Sequence, residues 1–246
     1  MSHLVELRQR LVRAVGAVLA LFVVLVFWPG SGAIYDFLAV PLLAALPPGS
    51  KMIATGVITP FMVPIKVTAL AAFVVALPWV LYQAWAFVAP GLYEHEKKLA
   101  LPLVFASTLL FLAGMAFCYY IVFEQVFTVI HQWAPQSITP APDIEAYFSF
   151  VLTMFLAFGI TFEIPVVVLV LVRVGVVSVE KLRDARPYVI VGAFVIAAVV
   201  TPPDVLSQFM LAVPMCLLYE AGLFLARFIT VRSRAAEEEK HDPMTP

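Results

Sequence analysis

The sequence Leu92-Tyr93-Glu94-His95-Glu96-Lys97-Lys98 is a short charged segment between two long apolar runs. Residues 67–89 contain no Asp, Glu, Lys or Arg, and residues 99–123 contain none either. Each run exceeds the roughly 20 apolar residues that a helix needs to cross a bilayer. The two runs are therefore predicted to be membrane-spanning helices, and the charged segment between them is predicted to lie at a membrane surface.

The composition of the whole chain supports the same class. Of its 246 residues, 63% are hydrophobic and only 13% are charged, whereas soluble domains carry about 25% charged residues. The apolar runs are continuous, while the strands of a membrane β-barrel alternate between polar and apolar positions. Because helices satisfy their backbone hydrogen bonds within the segment, we predict an all-α integral membrane protein. The net charge of −1 does not point to nucleic acid as a partner.

Four further apolar runs bring the predicted number of spans to six, and they cover residues 14–28, 147–172, 188–201 and 205–226. The fifth span has fourteen residues between two prolines, or about 21 Å of helix against a hydrocarbon core of roughly 30 Å. The sixth is interrupted by Pro214 and Glu220. The last two helices are therefore predicted to be short. Residues 33–46 are predicted to form a helix along the outer interface.

The distribution of basic residues predicts the orientation. With six spans and a cytoplasmic N-terminus, thirteen of the fifteen Lys and Arg residues fall in cytoplasmic segments, and only Lys51 and Lys66 lie outside. Cytoplasmic loops of membrane proteins carry such an excess. Both termini and the segment at 92–98 are therefore predicted to be cytoplasmic. Residues 1–230 form one predicted transmembrane domain, and residues 231–246 a charged, disordered tail.

Glu163 is the charged residue placed deepest in the predicted membrane. It precedes Arg173 by ten residues, which is about 15 Å of helix. An acidic residue at that depth costs roughly 2.5–3.5 kcal/mol on insertion scales. The sequence leaves two interpretations open. Glu163 is a proton site or a contact for a translocated partner, or it is a protonated carboxyl hydrogen-bonded to a neighbouring helix.

Other polar positions stand at the two predicted membrane surfaces. Glu6 and Glu96 are interfacial carboxylates on the cytoplasmic side, and a pair of carboxylates suits the binding of guanidinium groups. Each alone is also consistent with a solvated surface charge. Asp204 and Gln208 form a polar spot at the outer ends of the last two spans, where a helix N-cap is the alternative interpretation.

The sequence contains no arrangement typical of an enzyme. Its four histidines are scattered without metal-ligand spacing, and no Ser–His pair or phosphate-binding glycine loop is present. Cys118 and Cys216 lie inside apolar runs, as expected of small buried hydrophobic residues. We therefore expect neither catalysis nor a cofactor or metal.

Five stretches of the chain resemble the TatC family, the multispanning core of the twin-arginine protein translocase. The resemblance covers roughly residues 2–230, and the stretches are SHLVELRQRL (2–11), YQAWAFVAPGLYEHE (82–96), AFGITFEIP (157–165), RPY (186–188) and TPPDVLSQ (201–208). The sequence departs from the family at Glu124, where a proline is expected, and this leaves the end of the third span open.

The resemblance implies a concave bundle of six helices in the bacterial cytoplasmic (inner) membrane. It implies a receptor for twin-arginine signal peptides of folded proteins, with Glu6 and Glu96 as recognition carboxylates and Arg8 and Phe87 beside them. Glu163 maps onto the family's intramembrane glutamate. The implied partners are single-span TatA-type and TatB-type subunits in an oligomeric complex, and the proton-motive force drives transport.

Two other classes of function compete with this interpretation. A proton-coupled small-molecule carrier with Glu163 as its proton site is the alternative, although carriers usually show internal repeats and broken helices that meet at the midplane. A purely structural membrane scaffold is the third class, but it would not need a carboxyl group at the depth of Glu163.

Overall fold

The computed structural model of the chain describes residues 2–45, 52–88, 97–133, 143–201 and 204–241. These residues form ten α-helices: α1 (Ser2–Leu25), α2 (Ser31–Ala45), α3 (Thr59–Val88), α4 (Lys97–Phe117), α5 (Phe123–Trp133), α6 (Ile144–Phe162), α7 (Ile164–Arg173), α8 (Val179–Asp184), α9 (Arg186–Val200) and α10 (Val205–His241). No strand occurs in this part of the chain, so the prediction of an all-α protein is confirmed there.

Five apolar helical stretches in the described ranges are long enough to cross a membrane: Leu4–Ala39, Thr59–Phe87, Leu101–Val126, Ile144–Arg173 and Val205–Phe228. The remaining predicted span, the fifth in the chain, corresponds to α9, which has 15 residues and is about 22 Å long. The fifth span is therefore short, as predicted. The prediction that the last span is also short is wrong, because its apolar part has 24 residues.

The first apolar stretch changes direction at Trp28, whose backbone is extended (φ −152°, ψ 120°). Pro29 follows, and a proline cannot donate the backbone hydrogen bond of a helix interior. The predicted stop after the first span is thus confirmed, and the predicted helix at 33–46 is α2. α2 packs against the first turns of α3, where Val63 and Val67 are completely buried.

Four helix boundaries differ from the predictions. α3 begins at Thr59 rather than residue 67. A π-helical turn, Cys118–Val122, links α4 to α5, so helix continues past residue 123 to Trp133. The fourth span is not one helix, because Glu163 separates α6 from α7. α10 runs on to His241, through residues where the sequence predicted a disordered tail.

Neighbouring helices pack in a series: α1 on α3, α3 on α4, α4 on α6, α7 on α10, and α9 on α10. The α4–α6 contact is close because a Cβ atom on Gly114 would lie 2.5 Å from the carbonyl oxygen of Phe158. The α7–α10 contact is close because a Cβ on Gly222 would lie 2.9 Å from Cα of Pro165. Glycine permits both approaches.

The segment before α3 is attached to the start of α6 by hydrogen bonds. The backbone N–H of Ile144 donates to the carbonyl of Ile53 at 2.9 Å. The Asp143 carboxylate accepts from the backbone N–H and hydroxyl of Thr55, at 3.1 and 2.9 Å. Lys66 forms an ion pair of 3.0 Å with Glu145. These bonds connect the segment before α3 to the start of α6. They lie at the end of the molecule where α1 ends and α3 begins.

Candidate functional site

The N-terminus of α1 and the C-terminus of α3 lie at the same end of the molecule. α2 follows the end of α1 and packs on the beginning of α3, so α1 and α3, which pack together, run antiparallel. This places Glu6 and Arg8 at the end where α3 carries Phe87. The connection from α3 to α4, residues 89–96, starts at this end too.

The Glu6 carboxylate has a partner on its own helix. Arg10, one turn further along α1, donates to the same oxygen Oε1 from Nε at 2.9 Å and from Nη2 at 2.6 Å. Both side chains are partly exposed, while Arg8 is exposed and Phe87 is half-buried. Glu96 lies outside the described residues, so its position relative to Glu6 remains a prediction.

Glu163 lies at the break in the fourth span. Pro165, two residues later, explains this break. Pro165 has no N–H to donate to the carbonyl four residues before it, and its ring would clash there. The Glu163 side chain is 8% exposed, and neither carboxyl oxygen has a hydrogen-bond partner among the described residues.

A hydrogen-bonded pair of side chains borders Glu163. The indole Nε1 of Trp85 in α3 donates to the Ser107 hydroxyl in α4 at 2.9 Å, and both residues are buried. The Ser107 hydroxyl also faces the Glu163 carboxyl. Two other polar side chains in the apolar spans, Gln83 and Thr161, are 4% exposed. The sequence alone does not single out Trp85 or Ser107, because only the packing of three helices brings them to Glu163.

The polar spot formed by Asp204 and Gln208 stabilises the start of α10. Asp204 Oδ1 accepts from the backbone N–H of Ser207 at 2.7 Å, so the N-cap interpretation of Asp204 is confirmed. Gln208 Nε2 donates to the carbonyl of Phe194 at 3.2 Å and thereby connects α10 to α9. The spot adjoins the end of α9, which is opposite the end where Arg186 lies.

Comparison with known proteins decides the family. Residues 2–214 match the model of the family described as Sec-independent protein translocase protein (TatC). The chain belongs to the TatC family.

Relatives of known name and structure support this membership. The Sec-independent protein translocase protein TatC of Haemophilus influenzae is 50% identical over 241 residues, covering 98% of this chain and 93% of the relative. The TatC of Escherichia coli K12 is 46% identical over 237 residues, covering 96% and 91%. A crystal structure described as the twin arginine translocase receptor TatC superimposes with a TM-score of 0.82 at 37% identity, covering 93% of this chain and 99% of that one. The TatC fold is therefore shown for nearly the whole chain.

The TatC fold brings together one further charged pair that the sequence analysis missed. Arg186 at the start of α9 donates from Nη2 to Oε2 of Glu220 in α10 at 2.5 Å. The Tyr219 hydroxyl, next in sequence, donates to the carbonyl of Leu182 in α8 at 2.7 Å. These two contacts fasten the segment around α8 to α10. Glu220 was visible only as an interruption of an apolar run, since its partner is 34 residues away.

Proposed function

We propose that this chain is the signal-receptor subunit of a twin-arginine translocase in the bacterial cytoplasmic membrane. The observation that carries the proposal is membership of the TatC family over residues 2–214. We propose six spans, made of the five long apolar stretches and the short helix α9, in a concave bundle with both termini cytoplasmic. The bias of thirteen in fifteen basic residues supports this orientation.

The signal site in this proposal consists of Glu6 and Glu96, with Arg8 and Phe87 beside them. Its support is that Glu6, Arg8 and Phe87 belong to the same end of the antiparallel α1–α3 pair, and that Glu96 belongs to the connection leaving that end. Two carboxylates there would each bind one guanidinium group of a twin-arginine signal.

The free energies of the expected contacts show that ion pairs and apolar burial contribute differently to signal binding. An exposed ion pair contributes about 0.2–1 kcal/mol, whereas micromolar binding requires about 8 kcal/mol. Two such pairs can select the two arginines and set the register, but they cannot supply the affinity. The apolar part of the signal must supply most of it by burial against the bundle, at about 25 cal/mol per Å².

The partner subunits and the energy source complete the proposal. TatA-type and TatB-type single-span subunits dock along α9 and α10, close to Asp204 and Gln208, in an oligomeric complex. Glu163 contacts the cargo or a partner at the kink between α6 and α7, and this role is supported by its carboxyl oxygens, which have no hydrogen-bond partner among the described residues. The proton-motive force drives transport, and no cofactor takes part.

Site-specific crosslinking tests the receptor function. A photoreactive residue in place of Leu4, which is exposed close to Glu6, should crosslink a signal peptide with two arginines. The same peptide with both arginines replaced by glutamine should crosslink much less. Equal crosslinking of the two peptides would contradict recognition of the arginines at this end of the bundle.

A further inference from the structure

The kink at Glu163 opens a groove between three helices. α4 packs on α6 before the kink, and α7 turns toward α10 after it. An apolar groove of about 310 Å³ lies in the gap, walled by α4, α7 and α10. Among the described residues that line it, Arg173 alone is charged.

The lining residues of α4 and α7 form two parallel stripes. On α4 the stripe contains Pro102, Ala106 and Leu110, and on α7 it contains Pro165, Leu169 and Arg173. Residues four apart lie on one face of a helix, and each stripe covers nine residues, whose eight steps span about 12 Å. The groove is therefore about as deep as one leaflet of a hydrocarbon core roughly 30 Å thick.

Positive charge is concentrated at one end of the groove. α4 and α6 are antiparallel, since Gly114 faces Phe158 and Ser107 faces Glu163. The first turn of α4 therefore lies at the same end as Arg173. That turn begins with Lys97 and Lys98. α10, which contributes Leu225 to the lining, carries the exposed Arg227 two residues later. Arg173 and Arg227 thus lie toward this end of the groove, and the sequence of α4 begins with two lysines at the same end.

We propose that this groove binds an anionic glycerophospholipid of the cytoplasmic leaflet. One acyl chain lies between the two stripes, and the phosphate of the headgroup lies against Arg173. The groove is apolar over about the depth of one leaflet, which matches an acyl chain. It ends at an arginine, which matches the negative charge of the headgroup. Basic pockets between spans on the cytoplasmic side are typical sites for anionic headgroups. The choice of leaflet rests on the orientation proposed above.

The surroundings of the groove favour a lipid chain as its occupant. A flexible chain fills a narrow space of this kind without displacing the walls. The surrounding side chains Leu101, Phe105 and Phe224 are more than half exposed, so the groove opens onto a surface suited to lipid.

Native mass spectrometry of the full-length chain in neutral detergent tests the proposal. The probes are phosphatidylglycerol and phosphatidylcholine with identical acyl chains. We expect more bound phosphatidylglycerol, and we expect Arg173→Gln to reduce that preference about five-fold, the effect of one basic residue near an anionic surface. Ala106→Phe, which fills the groove at an exposed position, should reduce binding of both lipids several-fold.

Arg183→Gln is the matched control, because Arg183 is an exposed arginine on α8 outside the groove. If this control lost the preference for phosphatidylglycerol equally, the effect would come from general surface charge, and the proposal would be overturned. Unchanged lipid binding in Ala106→Phe would do the same.

A photoreactive residue at position 106 of the assembled translocase in membranes identifies the occupant. A phospholipid adduct is the expected result, and an adduct with a signal peptide or a partner subunit would refute the assignment. Lipid binding in detergent requires neither export nor a given orientation. A failure here is therefore distinguishable from a failure of the proposed receptor function.

Discussion

The guanidinium group of Arg10 donates two hydrogen bonds to a single oxygen of the Glu6 carboxylate, at 2.9 and 2.6 Å. The second carboxylate oxygen takes no part in this ion pair. The pair is a carboxylate–guanidinium contact within α1. The proposed receptor would bind a signal arginine through the same kind of contact. Glu6 can accept a further guanidinium at the second oxygen, or it can exchange Arg10 for the incoming arginine.

Replacing Glu6 should weaken signal binding without unfolding the protein. Ion pairs between residues four apart on a helix contribute about 0.3–0.5 kcal/mol, so Glu6→Gln should leave thermal stability nearly unchanged. Crosslinking to a twin-arginine signal should fall, and the double change with Glu96→Gln should lower it further. Export of twin-arginine cargo, measured in the same cells, should follow the crosslinking.

Arg10→Gln is the matched control, because it removes the same ion pair but keeps the carboxylate. We expect signal crosslinking to be retained or increased, since the intramolecular competitor is gone. If Glu6→Gln and Arg10→Gln reduce crosslinking equally, the pair serves to shape α1 rather than to bind the signal. Glu96→Asp should be milder than Glu96→Gln, because the charge survives and only one methylene is lost.

Cysteine labelling checks the proposed orientation. In a variant without Cys118 and Cys216, single cysteines at Ser137 and Lys97 should react with a membrane-impermeant maleimide from opposite sides of the membrane. Ser137 lies in the connection from α5 to α6, and Lys97 starts α4. Labelling of both positions from the same side would disprove the six-span arrangement.

The contacts of Asp143 should make the segment before α3 sensitive to acid. The backbone N–H of Ala146 and the N–H and hydroxyl groups of Thr55 donate to this carboxylate, and they hold its pKa below the ordinary value. A lowered pKa in the folded state means that the stabilisation is present above the unfolded value, near 3.9. It is lost as the pH falls through the folded value.

Hydrogen exchange at the Thr55 amide measures this effect. Protection, corrected for the intrinsic exchange rate, should decrease as the pH falls through the folded pKa of Asp143. Asp143→Asn should show weaker protection at neutral pH and should lose the acid-dependent change. Glu124→Gln, an exposed carboxylate change elsewhere, should behave like the unmodified protein. Identical profiles for Asp143→Asn and the unmodified protein would show that the carboxylate does not hold this segment.

The positions of most spans follow from the sequence, because the absence of charge over twenty residues is a strong constraint in a bilayer. Helix ends were less predictable. Pro60 and Pro64 are typical of a segment broken into short pieces, yet α3 begins at Thr59. Proline is tolerated in the first turn of a helix, and the burial of Val63 and Val67 against α2 stabilises the rest.

Pro165 explains the break at Glu163, but it does not predict the break by itself, since Pro78, Pro102 and Pro214 lie inside helices that continue past them. The i to i+4 spacing of Glu6 and Arg10 permits their pair to be predicted. The Trp85–Ser107 and Arg186–Glu220 contacts could not be, since they depend on which faces of separate helices meet. Hydrophobic periodicity identifies the buried face of a helix when the other faces are polar. A span surrounded by lipid is apolar on every side, so its sequence does not show which face meets another helix.

Substitutions that remove the Glu163 carboxyl should show whether this residue acts in export or stabilises the fold. Its carboxyl oxygens have no partner in the described part of the chain, and Ser107 already accepts from Trp85. Glu163→Leu therefore leaves Ser107 with its indole partner and removes an insertion penalty of about 3 kcal/mol. Membrane abundance and thermal stability should be preserved or raised, while export should fall. Glu163→Gln, which keeps hydrogen bonding, should insert normally and export better than Glu163→Leu.

Thr161→Val is the control for this experiment, since it alters another buried polar side chain at the same kink. It should change export much less than Glu163→Leu does. A structural Glu163 predicts a different pattern, in which loss of a buried hydrogen-bond partner lowers stability by about 1–3 kcal/mol and lowers export in proportion. Abundance, thermal stability and export measured in the same cells distinguish the two. Export that collapses while the protein remains stable places Glu163 on the route of the cargo.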